Sequence, residues 1–390
     1  YLTGYKSINL EDIKNFRQLN SICAGHPEYK KNSGIETTTG PLGQGLSNAV
    51  GIAVAEEIMK KKFGSNLINH KTFVIASDGD LMEGISHEAM SLAGHLRLKN
   101  LIVFFDNNKI SIDGETKLTV SDDYKKRFES YGWNFIEING HKEKEISNAI
   151  KKSLKSKKPS IVSCKTIIGY GSPNKSGKAS SHGAALGEKE VELVRKKLNW
   201  KYKPFEIPEE IKNEWRKIGE KGILEEKKWK IIFNKKDKKI KEEFNRVLNE
   251  KLPENLDTII QKEKNRVFNL KPNIASRQSS ASVLEAITKN LPELIGGSAD
   301  LSGSNNTKTK YSKIIKPSNF NGNYIHYGVR EHGMAGIMNG MALHGGVLPY
   351  GGTFLIFLDY CKPSLRLSAF MGLKVIYIFS HDSIGLGEDG

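Results

Sequence analysis

The chain has 390 residues, of which 38% are hydrophobic and 27% charged, and its formal net charge is +16. This composition is typical of a globular protein with two or three domains, and no apolar run approaches the ~20 residues that would span a bilayer. The basic residues concentrate between positions 142 and 271 and alternate with glutamate, as on solvated helix faces. We therefore expect no specific nucleic-acid binding and no membrane association.

Three cysteines, Cys23, Cys164 and Cys361, lie far apart in the sequence. Their odd number and wide spacing argue against a disulfide framework. They favour a protein of the reducing cytoplasm.

Two loop motifs precede the first long helix. After a short helix predicted around residues 10–18 comes Gly-His-Pro-Glu at 25–28, where Pro27 disfavours helical geometry at His26. Gly-Pro-Leu-Gly-Gln-Gly at 40–45 then opens into a helix predicted over residues 46–62, with an apolar stripe on one face. The glycines allow the backbone to approach a ligand closely, although a tight helix-packing turn explains this loop equally well.

The centre of the chain is predicted to be a strand, a helix and a second strand. Residues 73–76 and 101–105 are apolar runs that end abruptly in polar residues, and residues 85–98 have apolar side chains at helical spacing. In such a unit the strands lie parallel, so their carboxyl ends share one edge of the sheet, where ligands bind.

Asp78 and Asn108 follow these two strands and are therefore expected at the same edge. A carboxylate and a carboxamide oxygen are hard ligands that suit Mg²⁺, which keeps octahedral oxygen coordination and often binds a diphosphate. The alternative is that Asp78 and Gly79 form a simple turn and Asn107 and Asn108 a loop without a ligand. Taken alone, either the motif at 78–79 or the motif at 107–108 favours this alternative without a ligand.

Two further strands, predicted at 134–138 and 160–166, would complete an α/β sheet. A Gly/Ser-rich loop then runs from Gly169 to Gly183. Loops of this length are often functional, although a disordered surface loop explains the composition equally well. From about 199 to 272 the sequence is rich in Lys and Glu with scattered aromatic residues, which indicates a helical connector.

A second α/β unit is predicted from about residue 274. Arg277 leads an amphipathic helix predicted over residues 282–289. Residues 294–300 are predicted to form a strand that runs into a loop of small residues reaching Ser304.

The last part of the chain repeats the pattern of polar groups at the ends of strands. A helix rich in Gly, Ala and Met opens at Gly-Val-Arg-Glu-His, residues 328–332, and an aromatic-rich segment follows at 350–360. An apolar strand predicted over residues 375–379 ends in Ser-His-Asp at 380–382.

With these motifs assembled, the chain closely resembles the transketolase family of thiamine-diphosphate enzymes. The motifs occur in family order and cover nearly the whole chain. They are Gly-His-Pro-Glu (25–28), Gly-Pro-Leu-Gly-Gln-Gly (40–45), Asp-Gly-Asp-Leu-Met-Glu-Gly (78–84), Asp-Asn-Asn (106–108), Ser-His-Gly (181–183), Gly-Gly-Ser-Ala-Asp-Leu (296–301), Gly-Val-Arg-Glu-His (328–332) and His-Asp-Ser-Ile-Gly-Leu-Gly-Glu-Asp-Gly (381–390). Family members extend beyond both ends of this chain, so the resemblance implies a central fragment that we expect to be inactive alone.

The resemblance implies an α/β fold with two successive parallel-sheet domains that bind thiamine diphosphate, joined by the charged helical connector. Residues 1–200 would form most of the diphosphate-binding domain, residues 201–272 the connector, and residues 273–390 the first part of the pyrimidine-binding domain. In the family the cofactor lies between the diphosphate-binding domain of one subunit and the pyrimidine-binding domain of the other, which implies a homodimer.

The resemblance also implies a cofactor site. Asp78 and Asn108 would bind Mg²⁺ through their side chains and Ile110 through its carbonyl oxygen, with Ca²⁺ or Mn²⁺ able to substitute. The implied cofactor-binding residues are Gly40, Leu42, Gly79, Glu83, Asn108, Phe354, Phe357 and Tyr360. Ser77 departs from the family fingerprint, which usually has a glycine at this position.

Glu331 is the implied catalytic residue, because a carboxylic group bound to the aminopyrimidine favours the imino tautomer that activates the cofactor. Its local alternative is a glutamate favoured at a helix N-terminus by the macrodipole. His26 and His182 would contact sugar hydroxyls and assist proton transfer. The other implied substrate-binding residues are Arg277, Ser304 and His381 for the phosphate and Asp389 for the 2-hydroxyl of the donor.

The implied activity is transfer of a two-carbon ketol unit from a ketose phosphate to an aldose phosphate through a carbanion on the cofactor. This reaction would place the protein in the pentose phosphate pathway of the cytoplasm. Two alternatives stay open. One is a related thiamine-diphosphate synthase of the dihydroxyacetone or deoxyxylulose-phosphate type, and the other is a non-catalytic scaffold paralogue that keeps the fold.

Overall fold

The structure, a computed structural model, describes residues 1–382. These residues form ten strands and thirteen α-helices. The strands are Thr72–Ser77 (β1), Leu101–Asn107 (β2), Ile110–Ser111 (β3), Gly114–Glu115 (β4), Asn134–Asn139 (β5), Ser160–Lys165 (β6), Leu294–Ser298 (β7), Tyr324–His326 (β8), Leu348–Phe354 (β9) and Ile376–Ser380 (β10). The helices are Leu10–Lys14 (α1), Gln44–Phe63 (α2), Asp78–Met82 (α3), Gly84–Leu96 (α4), Tyr124–Ser130 (α5), Glu143–Lys155 (α6), Glu188–Lys197 (α7), Glu209–Asn234 (α8), Lys238–Leu248 (α9), Leu256–Leu270 (α10), Ser276–Thr288 (α11), Glu331–His344 (α12) and Leu358–Phe370 (α13).

The contacts divide the chain into two compact units, and neither is continuous in sequence. The first unit consists of Tyr1–Gly43, Phe73–Glu83 and Lys99–Trp229, and the second of Gln44–Thr72, Gly84–Leu98 and the chain from Lys230 onward. Each unit contains one four-stranded sheet.

The sheet of the first unit has the strand order β1-β2-β6-β5. Strands β2 and β5 both pair in parallel with β6, so that Ile102 and Asn134 lie opposite Ser160. Leu101, Ile102 and Val103 are completely buried, as is usual for parallel strands that are covered on both faces. The predicted strand, helix and strand between residues 71 and 110 are therefore present, with α3 and α4 in place of one helix.

The sheet of the second unit has the order β10-β9-β7-β8, and all of its strand pairs are parallel. Strand β9 lies inside this sheet, whereas the sequence analysis predicted only an aromatic-rich segment there. Its glycines disfavour a strand, but they are needed for packing. A Cβ on Gly351 would lie 2.7 Å from the sulfur of Met338, and one on Gly352 would lie 2.8 Å from Asn305.

Helix α2 confirms the helix predicted over residues 46–62, and the residues of its apolar stripe are buried. The sequence did not predict that nearly all other sides are buried too, including the polar residues Ser47 and Asn48. The reason is close helix packing, since α2 contacts both α12 and α4. A Cβ on Gly51 would overlap the backbone of α12 at Ile337, and one on Gly340 would overlap the backbone of α2. Small residues in the two helices let their backbones approach.

The charged segment predicted as a connector consists mainly of helices α8, α9 and α10. No residue of α8 is buried. None of the helices within residues 1–382 combines the length and the apolar character needed to cross a bilayer. Cys23, Cys164 and Cys361 are all free thiols.

A network of ion pairs holds α9 to the residue that precedes β7. Arg246 donates to both carboxylate oxygens of Glu293 (2.6 and 2.8 Å) and to both of Glu243 (2.7 and 2.9 Å). Glu243 also accepts a hydrogen bond from Lys62 of α2 (2.7 Å). Because Glu293 is only 7% exposed, its charge depends on Arg246 for compensation.

We expect Arg246→Ala to lower the free energy of unfolding by about 3 kcal/mol, because the buried Glu293 carboxylate loses its partner. Lys228→Ala is the matched control, since Lys228 forms a fully solvated helical pair with Glu225 worth less than ~1 kcal/mol. Chemical denaturation followed by circular dichroism measures both variants. Equal effects of the two substitutions would contradict the structural role of the network.

Candidate active site

The carboxyl end of β1 is fixed by a capping box. Ser77 precedes α3, and the Asp80 carboxylate accepts hydrogen bonds from the N–H and the hydroxyl of Ser77, both at 2.8 Å. Asp80 also accepts from the N–H of Gly43 (2.9 Å). Ser77, noted in the sequence only as a departure from the fingerprint, therefore starts a helix, and Asp80 connects the Gly-rich loop to the end of the strand.

Asp78 is the first residue of α3 and is 3% exposed. Neither of its carboxylate oxygens makes a hydrogen bond to any of residues 1–382, although the backbone amide of Lys109 is near enough to favour the charged form. Burial raises the pKa of Asp78 to about 6, and the charge of Asp106 contributes to the rise. A buried carboxylate without a partner is costly, so this group is suited to a cation.

The loop after β2 contains the other predicted metal ligands. Asn108 accepts a hydrogen bond from the N–H of Ile110 (2.9 Å), and its amide donates to Asp106 (3.3 Å). Lys109 between them has a left-handed backbone, with φ of 61°. Helix α3 packs against β2 and β3, so the structure places Asp78 beside this loop.

These residues fit a hard divalent cation. One carboxylate, one amide oxygen and the backbone carbonyl of Ile110 are oxygen donors of the kind that Mg²⁺ prefers. Residues 1–382 contain no group of three or more His, Cys, Asp or Glu side chains able to hold a metal. An ion beside Asp78 would therefore need further oxygens from water or from a ligand such as a diphosphate.

Four other predicted residues of the first unit pack in two pairs. A Cβ on Gly40, which has φ of +126°, would lie 3.0 Å from Cγ of His26. A Cβ on Gly79 would lie 2.9 Å from Cδ1 of Leu42. His26 and Leu42 keep exposed surface, and so does Glu83 at the end of α3.

In the second unit, Glu331 is the first residue of α12 and is 8% exposed. Glu88 of α4 lies close to it and accepts a hydrogen bond from the N–H of Gly333 (2.6 Å). Burial raises the pKa of Glu88, and the charge of Glu331 adds to this rise while Arg330 opposes it. Glu88 therefore keeps a proton more readily than an exposed glutamate does.

Glu88 was not among the site residues predicted from the sequence. The available signal was its spacing, because position 88 lies on the same helical face as the buried residues Ile85 and Leu92 of α4. A glutamate on a buried helix face needs a hydrogen-bond donor or a positive charge as its partner. Glu88 could have been identified from the sequence on this ground.

The predicted aromatic residues form a ladder of rings. Phe357 stacks on both Phe354 and Tyr360, with centroid distances of 5.7 Å in each pair. His381 packs against Phe354 at 4.0 Å, and Nη1 of Arg277 lies 2.7 Å from Nε2 of His381. The structure therefore brings five predicted residues together.

Three further predicted residues are Ser304, Asp389 and His182. Ser304 is exposed in the loop after β7, and Asp389 lies outside the described residues. His182 follows a 3₁₀ turn, Ala179–Ser181, in the first unit, and its side chain is exposed. The loop that contains His182 is held by internal hydrogen bonds, such as that from the N–H of Gly177 to the carbonyl of Ile168 (2.8 Å).

Two family models match the chain in succession. Residues 1–253 match "Transketolase, thiamine diphosphate binding domain", and residues 272–390 match "Transketolase, pyrimidine binding domain". The transketolase of Rhodobacter capsulatus is 49% identical over 392 residues, an alignment that covers 100% of this chain and 58% of that protein.

Solved transketolases have the same fold. The structure from Campylobacter jejuni is 42% identical with a TM-score of 0.90, and the match covers 100% of this chain and 59% of that one. A Pichia stipitis transketolase in complex with sedoheptulose 7-phosphate is 40% identical with a TM-score of 0.91, at 100% and 59% coverage. The chain thus spans less than two thirds of the length of these relatives. It belongs to the transketolase family, of which it carries the thiamine-diphosphate-binding and pyrimidine-binding domains.

Proposed function

We propose that the complete protein is a transketolase that transfers a two-carbon ketol unit from a ketose phosphate to an aldose phosphate. One observation carries the proposal: the buried carboxylate of Asp78 has no hydrogen-bond partner within residues 1–382, and it lies in a thiamine-diphosphate-binding domain. When bound, thiamine diphosphate supplies the electron sink that this transfer requires. We expect the 390-residue chain alone to be inactive, because it spans only 58% of a curated relative.

Asp78, Asn108 and the carbonyl oxygen of Ile110 would hold Mg²⁺, with Ca²⁺ or Mn²⁺ able to substitute. The ion would neutralise the diphosphate of the cofactor. Gly79, which packs against Leu42, would let the backbone approach the diphosphate. Gly40 and Glu83 would complete the proposed cofactor-binding residues of this domain.

Glu331 would bind the pyrimidine ring of the cofactor through a shared proton. Its burial at the start of α12 and the carboxylate of Glu88 beside it support this role, because they place the group in a surrounding closed to most water. The ring ladder of Phe354, Phe357 and Tyr360 supplies flat apolar surface on which an aromatic ring can stack.

The proposed substrates are sugar phosphates. Arg277 and His381 lie 2.7 Å apart and together offer donors to a phosphate. The sedoheptulose 7-phosphate complex of the Pichia relative supports a ketose phosphate as the donor class. His26 and His182 for the sugar hydroxyls, Ser304 for the phosphate and Asp389 for the 2-hydroxyl are further proposals.

We also propose a homodimer in which Glu331 of one subunit meets the cofactor bound through Asp78 of the other. Large apolar side chains on α13, such as Tyr360 and Phe370, are more than 60% exposed, which supports a further protein surface there. The proposed domain boundaries are 1–200, 201–272 and 273–390. The proposed setting is the pentose phosphate pathway of the cytoplasm.

One assay separates the proposal from its alternatives. A transketolase transfers two carbons from xylulose 5-phosphate to ribose 5-phosphate, whereas a deoxyxylulose-phosphate-type synthase condenses pyruvate with its acceptor and a dihydroxyacetone-type synthase prefers a different acceptor. A scaffold paralogue would show no turnover with any of these substrates and no stabilisation by thiamine diphosphate.

In the complete protein, Asp78→Asn should abolish the Mg²⁺-dependent stabilisation by thiamine diphosphate, because the neutral amide binds the ion weakly. Without ligands, the wild type should lose stability relative to this variant as the pH rises from about 4 to 7. The pKa of Asp78 rises from 3.8 to about 6, so ionising the buried carboxylate costs up to about 3 kcal/mol. Thermal unfolding with and without Mg²⁺ and cofactor across this pH range measures both effects.

Asp113→Asn is the matched control, because Asp113 lies at the exposed tip of the β3–β4 hairpin. It should leave the cofactor response and the pH dependence unchanged. A cofactor-dependent shift of the same size in Asp78→Asn and in the wild type would contradict the proposed metal site.

Glu331→Ala should lower turnover of the complete protein by about 10² to 10⁴-fold while cofactor-dependent stabilisation persists, because the metal ligands are intact. Glu250→Ala is the control, since Glu250 forms an exposed pair with Lys374 and should not affect turnover. Steady-state kinetics with saturating cofactor measures the change. Unchanged turnover in Glu331→Ala would remove its catalytic role.

A mixture of Asp78→Asn and Glu331→Ala subunits tests the shared site. Each variant alone should be inactive, but half of the dimers formed after subunit exchange are mixed, and each mixed dimer has one intact site. We therefore expect recovery of about a quarter of wild-type turnover. Differently tagged subunits verify that mixed dimers form, and no recovery despite their formation would place both residues in the same subunit's site.

A further inference from the structure

Glu190 of α7 is a buried carboxylate to which the proposed reaction assigns no role. It is 7% exposed, whereas Glu188 and Glu192 on the same helix are exposed. A glutamate in the first turn of a helix is favourable through the helix dipole, but that interaction does not require burial, as Glu188 demonstrates. The burial of Glu190 needs a separate cause.

That cause is the loop of residues 169–183. Oε1 of Glu190 accepts hydrogen bonds from the hydroxyl of Ser172 and from the N–H of Asn174 (2.9 Å), and Oε2 accepts from the side-chain amide of Asn174 (2.9 Å). These donors, led by Ser172, lower the pKa of Glu190 to about 2. The carboxylate therefore stays charged over the whole physiological range.

Lys175 extends the connection to both sides of His182. The N–H of Lys175 donates to the hydroxyl of Ser172 (3.0 Å), and the carbonyl of Lys175 accepts from the hydroxyl of Ser181. The ammonium of Lys175 donates to the carbonyl of Leu186 (2.9 Å). Lys175 thus binds Ser181, immediately before His182, and Leu186, four residues after it. The His182 ring itself is exposed.

We propose that Glu190 is a positioning residue for His182. Glu190 anchors Ser172 and Asn174 to α7. Ser172 in turn fixes Lys175, and Lys175 restrains the backbone on either side of the histidine. The hydrogen bonds of this network are present in the structure without any ligand. The proposal rests on the proposed function in one respect only, that His182 contacts a sugar substrate.

Hydrogen exchange of the complete protein tests the network without any assay of activity. In Glu190→Ala, peptides covering residues 169–186 should exchange at least about tenfold faster, because hydrogen bonds from Ser172 and Asn174 are lost. Peptides of β2 and β6 should exchange as in the wild type. Glu192→Ala, an exposed glutamate of the same helix, is the matched control and should change neither set.

Glu190→Gln should give an intermediate result. The glutamine keeps one acceptor oxygen for the hydroxyl of Ser172 and the N–H of Asn174. Its NH₂ group, however, would face the side-chain NH₂ group of Asn174, so two donors would oppose each other. Unchanged loop exchange in Glu190→Ala would overturn the proposal, and so would faster exchange spread evenly over the first unit, which would indicate general loss of stability.

A double-mutant cycle tests whether the network acts through His182. Glu190→Ala should lower kcat/KM for the ketose phosphate about tenfold or more, with no change in cofactor-dependent stabilisation. In a His182→Ala background the same substitution should have little further effect. Fully additive losses would overturn the positioning role, whereas absence of two-carbon transfer in the wild type would refute the proposed function and leave hydrogen exchange to decide this inference.

Discussion

The unsatisfied charge of Asp78 is the constraint that gives the first unit its functional character. Folding removes this carboxylate from water without providing a hydrogen-bond partner within residues 1–382, and burial raises its pKa to about 6. Asp80, two residues later, has the opposite environment, because Ser77 and Gly43 donate to it. One short motif therefore contains an aspartate that holds the backbone in place and another whose buried carboxylate lacks a hydrogen-bond partner within residues 1–382, which is why we propose that it binds a cation.

The second unit depends on close approach of backbones. Gly51 and Gly340 let α2 and α12 pack without intervening side chains, and Gly333 near the start of α12 packs against α4, where Glu331 is buried. Glu88 lies beside it and accepts from the N–H of Gly333. Burial and the charge of Glu331 raise the pKa of Glu88, and the backbone donor of Gly333 opposes that rise.

The elements that could be predicted from the sequence are those defined by local pattern. The apolar runs of β1 and β2 and the polar residues that end them were identifiable from the sequence. For β2 the reason is burial on both faces, which gives a continuous hydrophobic sequence, whereas Phe73 and Ile75 of the edge strand β1 are exposed. Helix α2 was predicted as well, but the burial of its remaining faces and strand β9 were not, since Gly51, Gly351 and Gly352 have meaning only through neighbours that are distant in sequence. Local propensity cannot report such contacts.

The same limit applies to the candidate site. Family motifs predict Asp78, Asn108 and Glu331 as site residues, but not Glu88 or Glu190, whose environments depend on which donors the fold brings to them. Glu190 lies in a lysine- and glutamate-rich helix where every glutamate looks like a surface residue. Only its burial and its bonds to Ser172 and Asn174 distinguish it from Glu188 and Glu192.

A crystal structure of the complete protein with Mn²⁺ and thiamine diphosphate tests the central claim most directly, because anomalous scattering locates the ion independently of the protein atoms. The account predicts one manganese site about 2.2 Å from an oxygen of Asp78, from Oδ1 of Asn108 and from the carbonyl oxygen of Ile110, with diphosphate oxygens completing the coordination. An ion bound to the diphosphate elsewhere, with both oxygens of Asp78 still lacking a partner, would contradict the account.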